Sequence, residues 1–368
     1  MLRVAHMLAA SVAAAPPQIF TFTTPDEGPF APSQASVLAQ PGYSGGPFNP
    51  PSSVLLGIQY WTVPTTGTYR ITASGACGRT NSNSSLRSGR GATVRGDFSL
   101  TQNQVLAVLV GQRPPYVPAT GNFSGGGGGT FVARLSNPGS LTTTGGNALP
   151  LLVAGGGSAS RNATTLSTTV ARRNGQFSPA GGPGNGSSGA TAGQSPGVGG
   201  GWTNSRSGGA AGWAGTGSLH ADTRNYYVPT GYPGPATSAS RPGAGAFIQA
   251  FSGTNGAIGQ GGLFNITFDT AARQSGGFGG GAPSAWGGMG GGGGYSGGGN
   301  GANNSTEYGG GGGSYIDVSA SNATTSTGDW ASGSTYSGHT NHATFSGRVA
   351  LGYLSWISAG EVILELLP

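Results

Sequence analysis

Gly125-Gly126-Gly127-Gly128-Gly129-Thr130-Phe131-Val132-Ala133-Arg134-Leu135 joins five glycines to a segment with β-strand character, and the reading of that junction decides the fold. The same join recurs where Ala154 runs out into Gly155, and where glycines 309–313 lead through Ser314 into Tyr315-Ile316. Another five-glycine run spans 290–294. Glycine supplies 76 of 368 residues, so composition alone also fits a Gly/Ser-rich linker. The junctions favour order. An extended threefold chain of the polyproline II type has no internal hydrogen bonds and needs outside partners for its amides and carbonyls. Several such chains side by side supply those partners, provided no side chain holds them apart. Fixing glycine costs roughly 0.5 to 1 kcal/mol per residue more than fixing alanine, so an isolated tract stays mobile and only a bundle seeded by a rigid sheet offsets the loss.

The sheet is legible on both sides of the tracts. Phe20-Thr21-Phe22-Thr23-Thr24 alternates apolar and polar residues before the turn at Pro25-Asp26-Glu27-Gly28-Pro29. Strands are predicted over 57–63 and 68–73, joined by Pro64-Thr65-Thr66-Gly67, and over 93–100 and 104–111, joined as a hairpin by Thr101-Gln102-Asn103. Further strands are expected at 130–135, 149–154, 263–268, 314–318, 344–354 and 361–367, the last two linked by Ser358-Ala359-Gly360. Residues 30–55 read as a Pro, Ser and Gly rich loop, and between 155 and 260 strand signals nearly vanish. No stretch carries a capped 3.6-residue apolar period, so helix content is expected to be low. The framework is therefore placed mainly at 19–154 and 314–367, within a module of 16–368, with a glycine-rich insertion at about 155–313.

Composition narrows the functional classes. Charged residues are 7%, far below the usual quarter, and the net charge of +6 comes from 16 basic residues, all arginine, set against 10 acids. The arginines are dispersed, only Arg172-Arg173 being adjacent, and Arg90-Gly91 and Arg95-Gly96 lack a following glycine, which argues against an RGG-type nucleic-acid binder. Without lysine there is no phosphate-binding Gly-x-x-x-x-Gly-Lys loop. Cys77 is the single cysteine, which rules out an intrachain disulfide framework. Of the histidines only His339 and His342 are close, with Asp329 the nearest acid, so no metal set is expected. No Gly-x-Ser-x-Gly elbow stands in a strand-to-helix context with an Asp and His to match. The reading is non-enzymatic, with no cofactor. Arg95-Gly96-Asp97 looks like an adhesion tripeptide but falls inside a predicted strand.

Residues 1–15, MLRVAHMLAASVAAA, form a candidate signal peptide. The apolar segment 349–368 is broken by Gly352, Gly360, Glu361 and Glu365 and falls short of the roughly 20 apolar residues of a membrane span. Sequons for N-glycosylation stand at Asn83, Asn122, Asn162, Asn185, Asn265, Asn303, Asn304 and Asn322. Location at the cell surface or outside the cell is the expectation.

Several phrases resemble the glycine-rich extracellular module of the anaplastic lymphoma kinase and leukocyte tyrosine kinase receptors. They are Phe20-Thr21-Phe22-Thr23-Thr24 with Glu27-Gly28-Pro29-Phe30, Gly57-Ile58-Gln59, Val63-Pro64 with Thr68-Tyr69, Gly75-Ala76 and Leu109-Val110-Gly111-Gln112. Gly201-Trp202, Trp213-Ala214-Gly215, Gly276-Gly277-Phe278-Gly279-Gly280-Gly281 and the run 291–295 follow in matching order, so the resemblance covers roughly 20–354. It implies an all-β fold, a jelly-roll β-sandwich similar to tumour necrosis factor, with an inserted bundle of polyglycine helices. It also implies cytokine binding that leads to dimerisation, through acidic residues partly located after the last glycine-rich tract; here Glu307 is the acid nearest the late runs. The receptor modules carry cysteines in their glycine-rich part and bind a basic ligand, whereas this chain has Cys77 alone and is itself basic.

The isolated aromatics Trp202, Trp213, Trp286 and Tyr295 are candidates for a glycan or protein contact surface, or for caps packed across the glycine bundle. The expected function is an extracellular binding or adhesion module with a protein or glycan partner. The alternatives are a self-associating subunit of a surface fibre or coat, and an ectodomain fragment of a receptor tyrosine kinase-like protein.

Overall fold

The computed structural model describes residues 18–25, 27–44, 57–79, 88–115, 125–136, 148–160, 170–185, 200, 210–214, 273–285, 288–301, 308–327 and 359–368. In chain order its elements are β1 (Ile19–Phe22), α1 (Gln34–Leu38), β2 (Ile58–Thr62), β3 (Gly67–Ser74), β4 (Ala92–Leu100), β5 (Val105–Leu109), β6 (Thr130–Leu135) and β7 (Ala148–Ala154). There follow α2 (Val170–Arg173), β8 (Arg273–Gln274), β9 (Ser284–Ala285), β10 (Tyr315–Ile316), β11 (Ser321–Thr327) and β12 (Glu361–Leu366). The fold is all-β. One five-stranded sheet has the order β1-β12-β3-β4-β11, a second has β10-β7-β6-β5-β2, and β8 pairs with β9 apart from both. All strand pairs within the sheets are antiparallel.

The two large sheets enclose one apolar core. Phe22, Tyr69, Ile71, Val94, Phe98, Val362 and Leu364 from the first sheet meet Trp61, Leu106, Val108, Val132 and Leu152 from the second. Trp61 sits at its centre with edge-on contacts to Phe22 and Tyr69. The second sheet has apolar packing on its other face as well, where Ile58, Tyr60, Ala107, Leu109, Phe131 and Val153 meet Trp213 and Phe278. That double burial is why Val105-Leu106-Ala107-Val108-Leu109 is apolar at every position, with all five residues buried. The first sheet's other face carries Arg70, Thr72, Thr93 and Asp97 beside Ile363, and Arg70 and Asp97 pair across β3 and β4.

The glycine segments form a layer on the second sheet. Gly126 N–H donates to the Ala282 carbonyl at 3.0 Å, Gly127 to Gly157 at 2.8 Å and Gly128 to Gln112 at 3.0 Å, before Gly129 returns to the first neighbour at Gly279, 2.8 Å. Three residues forward on one chain match three back on the other. The same step recurs for Gly309 and Gly312, donating to Ala159 and Gly156, and for Gly310 and Gly313, donating to Gly299 and Ser296. Gly292 and Tyr295 donate to Gly310 and Gly313, again three apart and now running the same way. A β-strand alternates between two sides, whereas these segments address three in turn.

The absence of Cβ, rather than freedom in φ, explains the glycines of the runs 125–129, 290–294 and 309–313. None of them has φ in the left-handed region, yet a Cβ built on any would come within 3.0 Å of backbone atoms of a neighbouring segment. Next to these runs, left-handed φ falls in the turn at Gly279 (+99°) and Gly280 (+86°). Thr130 ties the first run to both sheets: its hydroxyl donates to the Ser74 carbonyl at 2.7 Å and accepts the Gly111 N–H at 3.0 Å.

Several sequence expectations need amending: β4 and β5, expected as a hairpin through Thr101-Gln102-Asn103, belong to different sheets. The segment 30–55 contains α1, capped by Ser33, whose hydroxyl accepts the Ser36 N–H at 3.2 Å. The insertion contains α2 and the short pair β8–β9. Strand β11 was not foreseen, because Ser-Asn-Ala-Thr-Thr-Ser-Thr has no apolar alternation. The strand expected at 314–318 stops after Ile316, since the Asp317 carboxylate accepts the Ser319 N–H at 2.9 Å and closes a turn. The strands expected at 263–268 and 344–354, and residues 1–15, lie outside the described residues.

Arg95-Gly96-Asp97 is not a free tripeptide. Asp97 is 2% exposed and holds Arg70 through two hydrogen bonds of 2.9 Å, while Asn322, at φ 50°, donates to its Oδ2 at 3.0 Å. Burial pushes the Asp97 carboxyl up, but the hydrogen bonds from Arg70 and Asn322 and the charges of Arg70 and Arg95 together hold it below the ordinary carboxylate range. A lowered folded-state value means the pair stabilises above the unfolded carboxyl's value of about 3.9. That contribution is lost as pH falls through the folded value. Asp97→Asn is expected to cost about 2 kcal/mol by thermal or urea unfolding, less than a fully buried pair because the Arg70 side chain is 31% exposed. The difference from the parent should shrink in titrations below about pH 4.

Candidate functional site

Two half-buried tyrosines and two exposed apolar residues, Phe177 and Val318, are carried by the segments where the glycine layer meets strand β10. Tyr295 leaves the run 290–294 with its N–H on the Gly313 carbonyl at 2.8 Å, and β10 begins two residues beyond Gly313. Tyr295 and Tyr315 therefore stack, with centroids 4.5 Å apart and planes 15° from parallel. Both are half-buried against the outer cluster of the second sheet. The loop after α2 runs alongside, bound through Gln176 N–H to Gly312 at 2.7 Å and through Ser314 N–H to Ser178 at 2.9 Å. It carries Phe177, 44% exposed, and Val318 in the turn after β10 is 97% exposed. An apolar side chain exposed to that degree gains nothing from the fold, and several near one another mark a contact surface.

The polar part of this surface is Asp317. Its carboxylate accepts from the Tyr315 hydroxyl at 3.1 Å and from the Ser319 N–H at 2.9 Å and hydroxyl at 2.5 Å. Burial raises its pKa, but these hydrogen bonds and the Arg134 charge outweigh that and leave it below the ordinary value. Burial, followed by the charge and hydrogen bond of Asp317, pushes Tyr315 up to about 12. Near neutral pH the surface thus presents a fixed carboxylate and a neutral phenol.

The sequence candidates divide. Trp213 is a cap: it is 6% exposed, its ring lies 6.3 Å from Phe131, and its backbone N–H donates to the Tyr295 carbonyl at 2.8 Å. Tyr295 is both packed and accessible. Asn322 is exposed, whereas Asn185 is half-buried with its N–H on the Tyr308 carbonyl at 3.0 Å. Trp202, Trp286 and Glu307, with Asn83, Asn122, Asn162, Asn265, Asn303 and Asn304, lie outside the described residues. Phe177, Tyr315, Asp317 and Val318 were not singled out from sequence. The signal that could have found them is Asp317-Val318-Ser319, a turn triplet with an apolar residue at its tip, directly after a glycine run and a strand.

Among the described residues no group of three or more His, Cys, Asp or Glu side chains is placed to hold a metal ion. No helix among them is long and apolar enough to cross a membrane. No protein-family model matches the chain.

Proposed function

We propose that this chain is a non-enzymatic extracellular binding module of the adhesion type, in which a β-sandwich and a glycine layer together present a contact surface to a protein or glycan. The observation that carries this reading is the stacked Tyr295–Tyr315 pair with Asp317 bonded to the Tyr315 hydroxyl, beside exposed Val318 in the same turn and exposed Phe177 on the loop bonded to Gly312 and Ser314. Aromatic rings with one carboxylate and adjacent hydroxyls suit the apolar face and polar rim of a sugar, or an apolar side chain beside a cation. Asp317 follows the last five-glycine run after Ser314, Tyr315 and Ile316, and in this reading it takes the place assigned to Glu307 from sequence. The low charge content and the described sequons at Asn185 and Asn322 favour a secreted or cell-surface setting.

The finer architecture is a jelly-roll sandwich carrying a bundle of threefold polyglycine helices. Support for the helices comes from amides three apart returning to the same neighbour. Support for the jelly roll comes from β12 inserting between β1 and β3, and from the chain crossing between sheets at β1, β2 and β3. The hairpin β3–β4 and the meander β5–β6–β7 are additions which that topology has to accommodate.

Binding to a panel of immobilised glycans and to intact cell surfaces tests the function. The parent chain is expected to bind above background. Val318→Asp with Phe177→Ser should reduce binding at least about tenfold, the scale of one lost hot spot, with an unchanged unfolding midpoint. Binding at background on every surface, or equal binding by the double variant, would contradict the reading.

A further inference from the structure

We propose that Tyr295 and Tyr315 form an oxidative coupling site, at which a peroxide acting through a haem peroxidase joins the two rings by a carbon–carbon bond between their Cε positions, ortho to the hydroxyls. The rings already stand in contact, stacked with centroids 4.5 Å apart and planes 15° from parallel. Backbone bonds hold both residues in place. Tyr295 N–H donates to the Gly313 carbonyl at 2.8 Å, and Tyr315 pairs with Val153 of β7. Two reacting groups held side by side react as one molecule rather than as two. Both residues are half-buried, so an oxidant reaches them and the rings have solvent on one side into which to turn as the bond forms.

The chemistry needs a proton acceptor, and the structure supplies one. Removing an electron from a phenol makes its O–H strongly acidic, so the electron leaves readily where a base takes the proton at the same time. For Tyr315 that base is Asp317, whose Oδ2 accepts the phenolic hydrogen bond at 3.1 Å while Oδ1 accepts from Ser319. The Tyr295 proton goes to solvent. The two phenoxyl radicals then couple through one Cε of each ring, and the hydrogen on each bonded carbon moves to the phenolic oxygen of its own ring, which restores two phenols. The pair has given up two electrons and two protons. The peroxide takes them, its O–O bond breaks, and two water molecules leave.

The other described tyrosines are placed differently. Tyr60, Tyr69 and Tyr308 are buried, and Tyr43 meets Phe22 edge-on. The product closes a covalent loop that contains the run 309–313 and fastens the end of the run 290–294 to the second sheet through β10. The coupling goes beyond the binding reading and does not depend on it, because it rests on the stack and on Asp317 whether or not a partner binds nearby.

The full chain treated at micromolar concentration with hydrogen peroxide and a haem peroxidase tests the proposal. Cleavage at arginine and glutamate puts Tyr295, as the only tyrosine, in 274–307 and Tyr315 in 308–348, so the coupled product is those two peptides joined, lighter by two hydrogens than their sum. This product within one chain should exceed covalent dimers by on the order of a hundredfold, since the effective concentration of stacked rings is at least millimolar. Tyr295→Phe and Tyr315→Phe keep the rings and are each expected to abolish the joined peptides, whereas Tyr308→Phe keeps them. Asp317→Asn should slow their formation at least about tenfold, and the unfolding midpoint of each variant shows that it is folded. Three results would each overturn the proposal. They are no joined peptides from the parent chain, joined peptides that survive Tyr315→Phe, and coupling in Asp317→Asn as fast as in the parent.

Discussion

Replacing Gly128 with alanine is expected to leave the protein unfolded or without its glycine layer. A methyl group there would fall on the Phe278 carbonyl oxygen, deep inside van der Waals contact, and backbone cannot swing aside as a side-chain end can. Relief requires separating two extended segments. That separation breaks the Gly128 bond to Gln112 and the Gln112 bond to the Phe278 carbonyl, the second being 2.7 Å long. Overpacking a core with flexible neighbours costs about 1 to 3 kcal/mol. Here each lost buried hydrogen bond adds about 1 kcal/mol or more, so at least about 4 kcal/mol is expected, a large share of the ~5 to 15 kcal/mol of a whole domain. Gly67→Ala is the control. Its Cβ would meet only Leu366 Cδ1, the movable end of a side chain, so the unfolding midpoint should shift by a few degrees at most. Equal tolerance of both substitutions, measured by thermal melting, would show that the runs do not pack as described.

Trp213→Ala has the next largest expected effect, and it separates the two halves of the structure. The indole covers Phe131 and fills the outer cluster with Phe278, while the bond to the Tyr295 carbonyl comes from the Trp213 backbone N–H and is kept by alanine. Truncating a buried tryptophan costs about 3 to 5 kcal/mol. The loss should fall on the glycine layer, because the core between the sheets, built on Trp61, Tyr69, Phe22 and Phe98, does not include Trp213. The expected result is an early transition that releases the layer, followed by a sandwich transition close to the parent's. A single cooperative transition lowered as a whole would mean that the sandwich has no stability apart from its glycine cover.

Both substitutions depend on features that differ in how openly the sequence displays them. Strand β6 was bounded correctly at Thr130 and Leu135 because a glycine run ends on one side and apolar alternation is strong. The run Val105-Leu106-Ala107-Val108-Leu109 announced a strand covered on both faces. By contrast, β11 carries only Ser, Thr, Asn and Ala, and its place is set by Asp97 and Asn322 across the sheet, an interaction spanning 225 positions. Helix α1 is too short to show a period and buries only Val37. The partners of the glycine runs were also hidden, because identical residues carry no register. What fixes register is where each run is tied, as at Thr130 and Tyr295. The candidate surface was half legible for the same reason. Tyr295 stood out as an aromatic at the end of a run, while Phe177 and Val318 matter only because the fold carries them beside it.

The most direct test is amide hydrogen exchange at 126–129, 292–294 and 309–313 in the folded protein. Amides bonded in a packed layer open only with that layer, so exchange on the order of a thousandfold slower than in a random coil is predicted, comparable with β5 and β6. Random-coil rates at these glycines, with β5 and β6 still protected, would contradict the account.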